Sequence, residues 1–502
     1  MGKVVSKLPN RVHPHVYPHY LTKEYNLPPV FYIDTAPIKA PMLVVADPEA
    51  AQEIANSGLL KHPALDDFLS PLAGRHNLVS MEGAVWQRWR NVFNPGFSTQ
   101  HIMNQVPTIV DCVEIYAQIL DRHASENDVF RLEEEATKVT IDVIGKVVCN
   151  HDFNSLTSNN RFVEIMRKTL SWMPDSQSMN PFHIYHPLRP LFWNHYKRQM
   201  DKYVGDVLDE RFSSRNMGQS TKMRKKTSID LALEEYFKET GQDADSRTAT
   251  MSAEFRRYAI DNLLILIFAG HDTTASTICY AYDLLHKHPD KLAKIRQEMD
   301  DVFGVGVSAK EQLKTSPYLI NKCEYTLAVI RETLRLWTPA STVRIGRKDY
   351  FVRNPVDGQM LPTDGIMVWT PSMTIHRDPR NYGESAHDFV PERFLPSNAD
   401  ALTPHAFRPF EKGPRNCIGQ ELALVEMKML LALTIREFNV RSVYDELGAL
   451  SDDGSLWAAD KATKTGPQEC LGTDAYQILL AAAKPREGMP ARVSRNMHMR
   501  SN

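Results

Sequence analysis

The order of apolar and polar positions divides the chain into a short strand-forming opening, a long helix-forming middle and a mixed end. Two apolar runs, Val30–Ile33 and Met42–Val45, are flanked by Pro, Asp and Ala turn residues and predict strands. From residue 48 to about 303 apolar side chains recur at helical spacing, as in 106–123 and 132–148. A long helix is predicted over 258–286, a further one over 320–337, and another over 420–437 with Leu422, Val425, Met429 and Leu433 on one side. Short strands and turns dominate 338–407, and residues 476–482 followed by 485–493 predict a terminal hairpin. Residues 218–228, with Lys222, Arg224, Lys225 and Lys226, read as a solvated basic connector, and the acidic, Gly-containing stretch 445–470 as a surface insertion. Residues 1–27 are polar, rich in His, Pro and Tyr, and carry no apolar leader core. No repeat or linker interrupts the rest. The expectation is one domain over 28–502, mainly α with a small β lobe.

Composition narrows the class. The chain has 502 residues, 42% of them hydrophobic, enough for a large core. Its longest apolar run, near 263–270, is far short of the roughly 20 residues that span a bilayer. Lys and Arg number 59 against 61 Asp and Glu, so the charge is 59 − 61 = −2, without the basic footprint of nucleic-acid binding. The cysteines (Cys112, Cys149, Cys279, Cys323, Cys417 and Cys470) form neither a zinc spacing nor a disulfide framework, which fits a reducing compartment.

One cysteine stands apart. Cys417 lies in Phe-Glu-Lys-Gly-Pro-Arg-Asn-Cys-Ile-Gly, residues 410–419, on a Gly/Pro-shaped loop directly before the predicted 420–437 helix. The unpaired N–H groups and positive dipole end of that helix favour a thiolate, and Arg415 adds a cation. A lone anionic sulfur does not make a closed zinc site, but it suits the single axial ligand of a heme iron. A second constellation, Ala-Gly-His-Asp-Thr-Thr over 269–274, lies inside the predicted long helix. Gly followed by Thr hydroxyls favours a local distortion, because Thr can bond a carbonyl one turn back. Glu332 and Arg335 share a helix face, as do Trp86 and Arg90. Taken alone, such pairs are common and carry little weight.

Residues 410–419 match F-x-x-G-x-R-x-C-x-G at every specified position, and the chain resembles the cytochrome P450 superfamily over most of its length. The resemblance implies the cytochrome P450 fold and heme b held by the Cys417 thiolate, with Phe410, Arg415 and Gly419 of the loop also expected to bind the cofactor. It implies that Asp272 and Thr273 deliver protons to bound oxygen, and that Glu332, Arg335 and Arg393 (from Pro-Glu-Arg-Phe, 391–394) form a buried structural cluster. Trp86, Arg90 and Arg344 are expected to hold the heme propionates, with His405 and Arg408 as weaker candidates. His271 is expected to have no direct catalytic role.

The function implied is a heme-thiolate monooxygenase that inserts one atom of O2 into a lipophilic small molecule. Electrons would come from a separate NADPH–cytochrome P450 reductase, with cytochrome b5 as a further donor. Lys412, Arg415 and Lys428 are expected to help dock the reductase. Members of this kind associate with the endoplasmic reticulum, and the motifs look eukaryotic and fungal, of specialised metabolism. The alternatives are an electron-independent heme-thiolate isomerase or dehydratase, and a non-catalytic heme sensor. The pocket walls are expected at 62–79, 172–193 and 265–269, just after Pro339, and near Leu471.

Overall fold

The computed structural model describes residues 2–34, 40–173, 186–215, 226–242, 249–451 and 465–496. Its axis is the 35-residue helix Ala253–Lys287. Ser252 caps the start by accepting the Phe255 N–H, and residues 259–268 are buried on every side. Among the described residues this is the one helix long and apolar enough to cross a membrane, yet 83% of its apolar window is buried within the fold. Its closest partner is the helix Leu132–Ile144. Gly270 permits that approach, since a Cβ there would lie 2.7 Å from Ile144 Cδ1. The Thr140 hydroxyl, at 3.2 Å from the His271 carbonyl, pins the two helices together.

The predicted helices form with shifted ends. The first runs Thr99–Glu126, capped by the Ser98 side chain. The second ends at Ile144 and closes through a π-turn, Gly145–Cys149. The predicted 320–337 helix divides into a 3-10 turn, Pro317–Lys322, and the helix Glu324–Leu336. The helix after the cysteine loop is Gln420–Thr434.

Both early strands form as expected and pair antiparallel, Val30 opposite Val45. They join a four-stranded sheet in the order Val30–Ile33, Met42–Val45, Met367–Thr370, Thr342–Ile345. The terminal hairpin differs from expectation. It closes within Gln477–Leu480 and Ala482–Pro485, turning at Ala481 in the left-handed region (φ 69°). The next strand, Pro490–Arg495, leaves to pair with Phe438–Ser442 and Phe130–Arg131. Glu487 and Met489, each at φ 53°, redirect the chain between the two, a reversal that periodicity does not reveal.

Residues 216–225 of the basic connector and 452–464 of the acidic stretch lie outside the described residues. The polar opening folds onto the body. Helix Val16–Tyr25 buries Val16, Tyr17 and Leu21, Val12 bridges to Ile478, and the His13 N–H donates to the Gln477 carbonyl at 2.8 Å. One apolar cluster runs from Val4 to Val493, with two smaller ones about the four-stranded sheet.

Candidate active site

The cysteine loop is built to present one sulfur. The Cys417 N–H donates to the Phe410 carbonyl at 2.9 Å, and the Asn416 N–H to the Gly413 carbonyl at 3.2 Å. Gly413 takes φ +73°, and a Cβ there would meet Asn56 Oδ1 at 2.8 Å, so the loop needs glycine twice over. Deep in the fold, the Cys417 side chain still has accessible surface because it opens into a cavity of about 340 Å³. Phe410, Asn416 and Gly419 line the same space. Burial pushes the Cys417 thiol up from its ordinary value, while the N–H groups of Gly419 and Gln420 and the charge of Arg90 pull it back. The thiolate expected from the helix end alone is thus outweighed by desolvation. A metal cation held at this sulfur would supply the missing charge, since a coordinated thiol is held deprotonated.

Cations gather at the cavity. Lys61, Arg90 and Arg415 all line it. Arg415 donates to Glu82 Oε2 at 2.7 Å and to the Met81 carbonyl at 2.9 Å, and lies 4.3 Å over the Trp86 ring, which also lines the cavity. Burial lowers Arg415 to about 10, with Glu82 opposing and Arg344 and Arg90 adding to the fall. Lys61, which the sequence reading missed, donates to Thr342 Oγ1 at 2.7 Å. Burial, then Arg344 and Arg415, push its ammonium down to about 7. Arg344 is buried, donates to the Leu59 carbonyl at 3.3 Å, and has an Nε with no partner among the described residues. Arg90 is committed elsewhere. It donates to the Asn416 carbonyl at 2.8 Å and to Asn416 Oδ1 at 3.0 Å, clamping the cysteine loop. Crowded, partly neutralised cations beside an apolar space fit an anionic group such as the paired carboxylates of heme. No local signal marks Lys61; its place comes from the bridge that pairs it with Arg344.

His405 and Arg408 lie away from the cavity. His405 is 4.0 Å from Glu49 at the surface, and the Arg408 guanidinium donates to the Ala51 carbonyl and Glu411. Arg415 and Lys428 cannot form a docking face, because both are turned inward; Lys428 reaches the Ile320 carbonyl at 3.4 Å. Lys412 remains exposed. Of the expected walls, Leu65, Leu78, Ile265, Leu266 and Ala340 line the cavity. Leu471 instead sits against Tyr20, and residues 174–185 lie outside the described residues.

Across the cavity, Thr273 faces inward from the long helix and its hydroxyl donates to the Ala269 carbonyl at 3.0 Å. The expected distortion does not break the helix, which continues through this turn. A carbonyl has two lone pairs and can accept the hydroxyl alongside a ladder bond. Asp272 faces the other way. Its Oδ2 accepts the Ala482 N–H at 2.8 Å, and its Oδ1 is 2.7 Å from Lys484 Nζ. His271 also turns from the cavity, with Nδ1 at 2.7 Å from the Ile267 carbonyl. Glu426, a second residue the sequence reading passed over, lines the cavity; one carboxyl oxygen has no partner among the described residues, and burial pushes the acid well up.

Behind the loop, Glu332 and Arg335 are wholly buried. Arg335 grips both Glu332 oxygens, and Arg393 adds a bond at 3.1 Å. Arg335 also reaches the carbonyls of His376, Ala386 and Asp388. His376 Nε2 in turn accepts the Arg408 N–H at 3.0 Å, which carries the support forward to the cysteine loop.

A single thiol on a loop, a helix hydroxyl across an apolar cavity and a group of partly buried cations suit a heme-thiolate oxidoreductase. The sequence profile described as Cytochrome P450 matches residues 3–457. The chain is 35% identical over 500 residues to the cytochrome P450 monooxygenase polC of Polytolypa hystricis, covering 98% of this chain and 87% of that one. It is also 35% identical over 507 residues to the cytochrome P450 monooxygenase acrF of Aspergillus aculeatus, covering 97% and 98%. The fold superposes on a crystal structure of a cytochrome P450 (CYP102L1) with a TM-score of 0.73 at 22% identity, over 96% of this chain and 99% of that one. The chain belongs to the cytochrome P450 family and is a heme monooxygenase.

Proposed function

We propose that this enzyme inserts one atom of O2 into a lipophilic small molecule, using electrons from a separate NADPH-dependent reductase. Cys417 would hold the heme iron; Lys61, Arg344, Arg415 and the Trp86 indole would meet the propionates; and Arg90 would keep the loop in register. Bound heme supplies oxygen activation and electron transfer. The chain supplies orientation, dryness and protons. Leu65, Leu78, Ile265 and Leu266 exclude water and favour an apolar substrate. Thr273 holds a proton at Oγ1 and can pass it into the cavity while accepting another, with Asp272 as its source once the carboxyl turns inward.

The observation that carries this reading is that Thr273 and Cys417 line one cavity from opposite elements. Thr273→Ala tests it: more hydrogen peroxide and less product should appear per NADPH consumed. An unchanged yield per electron would remove Thr273 from the proton path. Electron-independent rearrangement draws on one observation, that Asp272 points at Lys484 instead of the cavity. Product formed without NADPH or reductase would select it. The fungal relatives support a place in specialised metabolism, and reductase docking at the cytoplasmic face of the endoplasmic reticulum would rest on exposed cations such as Lys412.

A further inference from the structure

The opening segment is laid along the edge of the terminal hairpin. Val12 bridges to Ile478, the His13 N–H donates to the Gln477 carbonyl at 2.8 Å, and the Tyr20 hydroxyl accepts the Leu471 N–H at 2.9 Å. In the second hairpin strand Ala483 pairs with Leu479, and its N–H donates to the Pro339 carbonyl at 3.0 Å. Pro339, Ala340, Ser341 and Thr342 are a wall of the Cys417 cavity. Gln477 is buried, and its side-chain amide reaches the neighbouring Thr338 carbonyl at 3.4 Å. Segment, hairpin and wall thus form one hydrogen-bonded ribbon. The segment is seated through uncharged imidazoles. The His15 N–H donates to His13 Nδ1 at 3.2 Å, which requires that ring nitrogen to carry no proton. The two rings lie 3.9 Å apart, and His19 meets His387 at 5.3 Å. Burial pushes His13 down to about 3, and burial, His13 and Arg377 hold His15 well below its ordinary value against Gln477. Burial, then Arg377, His387 and Lys23, push His19 down to about 3 against Asp378. Tyr20 and Cys470, 3.6 Å apart on the same face, are both pushed up by burial and stay neutral.

We propose that residues 12–20 are a positioning strap for the substrate cavity: bound along the hairpin edge, they fix the wall at residues 339–342 and so set how closely a lipophilic molecule seats against it. The inference rests on the monooxygenase reading above and extends it to a segment that does not line the cavity. The same contacts make the strap sensitive to acid. A second proton on His13 would occupy Nδ1 and break its bond to the His15 N–H. Released imidazoles titrate near 6.5, whereas the seated ones take up a proton only far below that, so the seated form weakens as pH falls below about 6.5. Between about pH 7.5 and pH 5.5 the release equilibrium should shift roughly tenfold for each imidazole set free.

The test uses the heme-loaded protein and two iron-ligating probes, imidazole and the bulkier phenylimidazole, each read by the shift it causes in the heme absorption band. His13→Pro removes both the N–H that bonds Gln477 and the ring acceptor. It should weaken phenylimidazole roughly fivefold or more, about the worth of one lost hydrogen bond, and leave imidazole within about twofold. His13→Asn keeps the N–H and sets Oδ1 where Nδ1 stood, and should bind both probes as wild type does. A second arm follows hydrogen exchange at the Ala483 amide, corrected for the intrinsic rate. In wild type its protection should fall roughly tenfold or more between about pH 7.5 and pH 5.5, with little change in the strand Met367–Thr370. With His13→Asn, His15→Phe and His19→Phe combined, that protection should hold. Equal weakening of both probes, unchanged phenylimidazole binding, no rescue by Asn, or acid-insensitive protection at Ala483 in wild type overturns the proposal. If His13→Pro does not fold, the acid arm decides alone. A wild-type protein that shifts with neither probe, or whose ferrous carbonyl spectrum lacks sulfur ligation, defeats the underlying reading instead.

Discussion

Arg335→Lys is the sharpest probe of the buried cluster. Arg335 has five N–H donors and five acceptors: both Glu332 oxygens at 2.7 and 2.8 Å, and the carbonyls of His376, Ala386 and Asp388 at 2.7, 2.6 and 2.9 Å. Lysine offers three donors, so at least two of these bonds are lost; Glu332 Oε1 keeps the Val390 N–H and Arg393, so at least one other acceptor is left without a partner. Side-chain exposure is 0% for both Arg335 and Glu332, so bulk water cannot replace them. At about 1–3 kcal/mol for each of one or two buried unsatisfied groups, the expected loss is roughly 1–6 kcal/mol. That is a large part of the ~5–15 kcal/mol holding a typical fold. A urea unfolding midpoint should fall with an unchanged slope, and the fraction of protein showing a thiolate-ligated ferrous carbonyl spectrum should fall with it. The cluster supports His376, and His376 supports the loop through Arg408, so the two readouts should move together. A variant within about 1 kcal/mol of wild type would show that the counted bonds are replaceable and the reasoning wrong.

Cys417→Ser should still bind porphyrin through the apolar walls and cations but lose the thiolate signature in its ferrous carbonyl spectrum; an unchanged spectrum would place the ligand elsewhere. Lys61 is lowered from 10.5 to about 7, so between those values the unfolded chain binds a proton the folded one lacks. Stability of the heme-free protein should therefore rise with pH across that window, and Lys61→Met should flatten the rise. Gly270→Ala places a Cβ 2.7 Å from Ile144 Cδ1 and should cost about 1–3 kcal/mol, with Ile144→Val, which removes that atom, recovering most of it in a double-mutant cycle. Arg90→Ala should loosen the loop by freeing Asn416, seen as faster hydrogen exchange at the amides of residues 413–417 with little change at the distant four-stranded sheet.

What the sequence determined by itself was local and periodic. The cysteine signature, the Ala-Gly-His-Asp-Thr turn, the long helix and the strands Val30–Ile33 and Met42–Val45 were all legible, because turn chemistry and apolar spacing act over a few residues. Tertiary structure decided where the charges point. Asp272 turns to Lys484, some two hundred residues later, and Arg415 and Lys428 turn inward although their sequence surroundings look like those of surface cations. Neither Lys484 nor Lys61 was marked by anything local in the sequence. The orientation of a charged side chain is set by which opposite charge, carbonyl or cavity the fold brings within about 3–4 Å, and desolvation makes that choice strong. Such pairings join distant segments, so they exist only once the chain has folded.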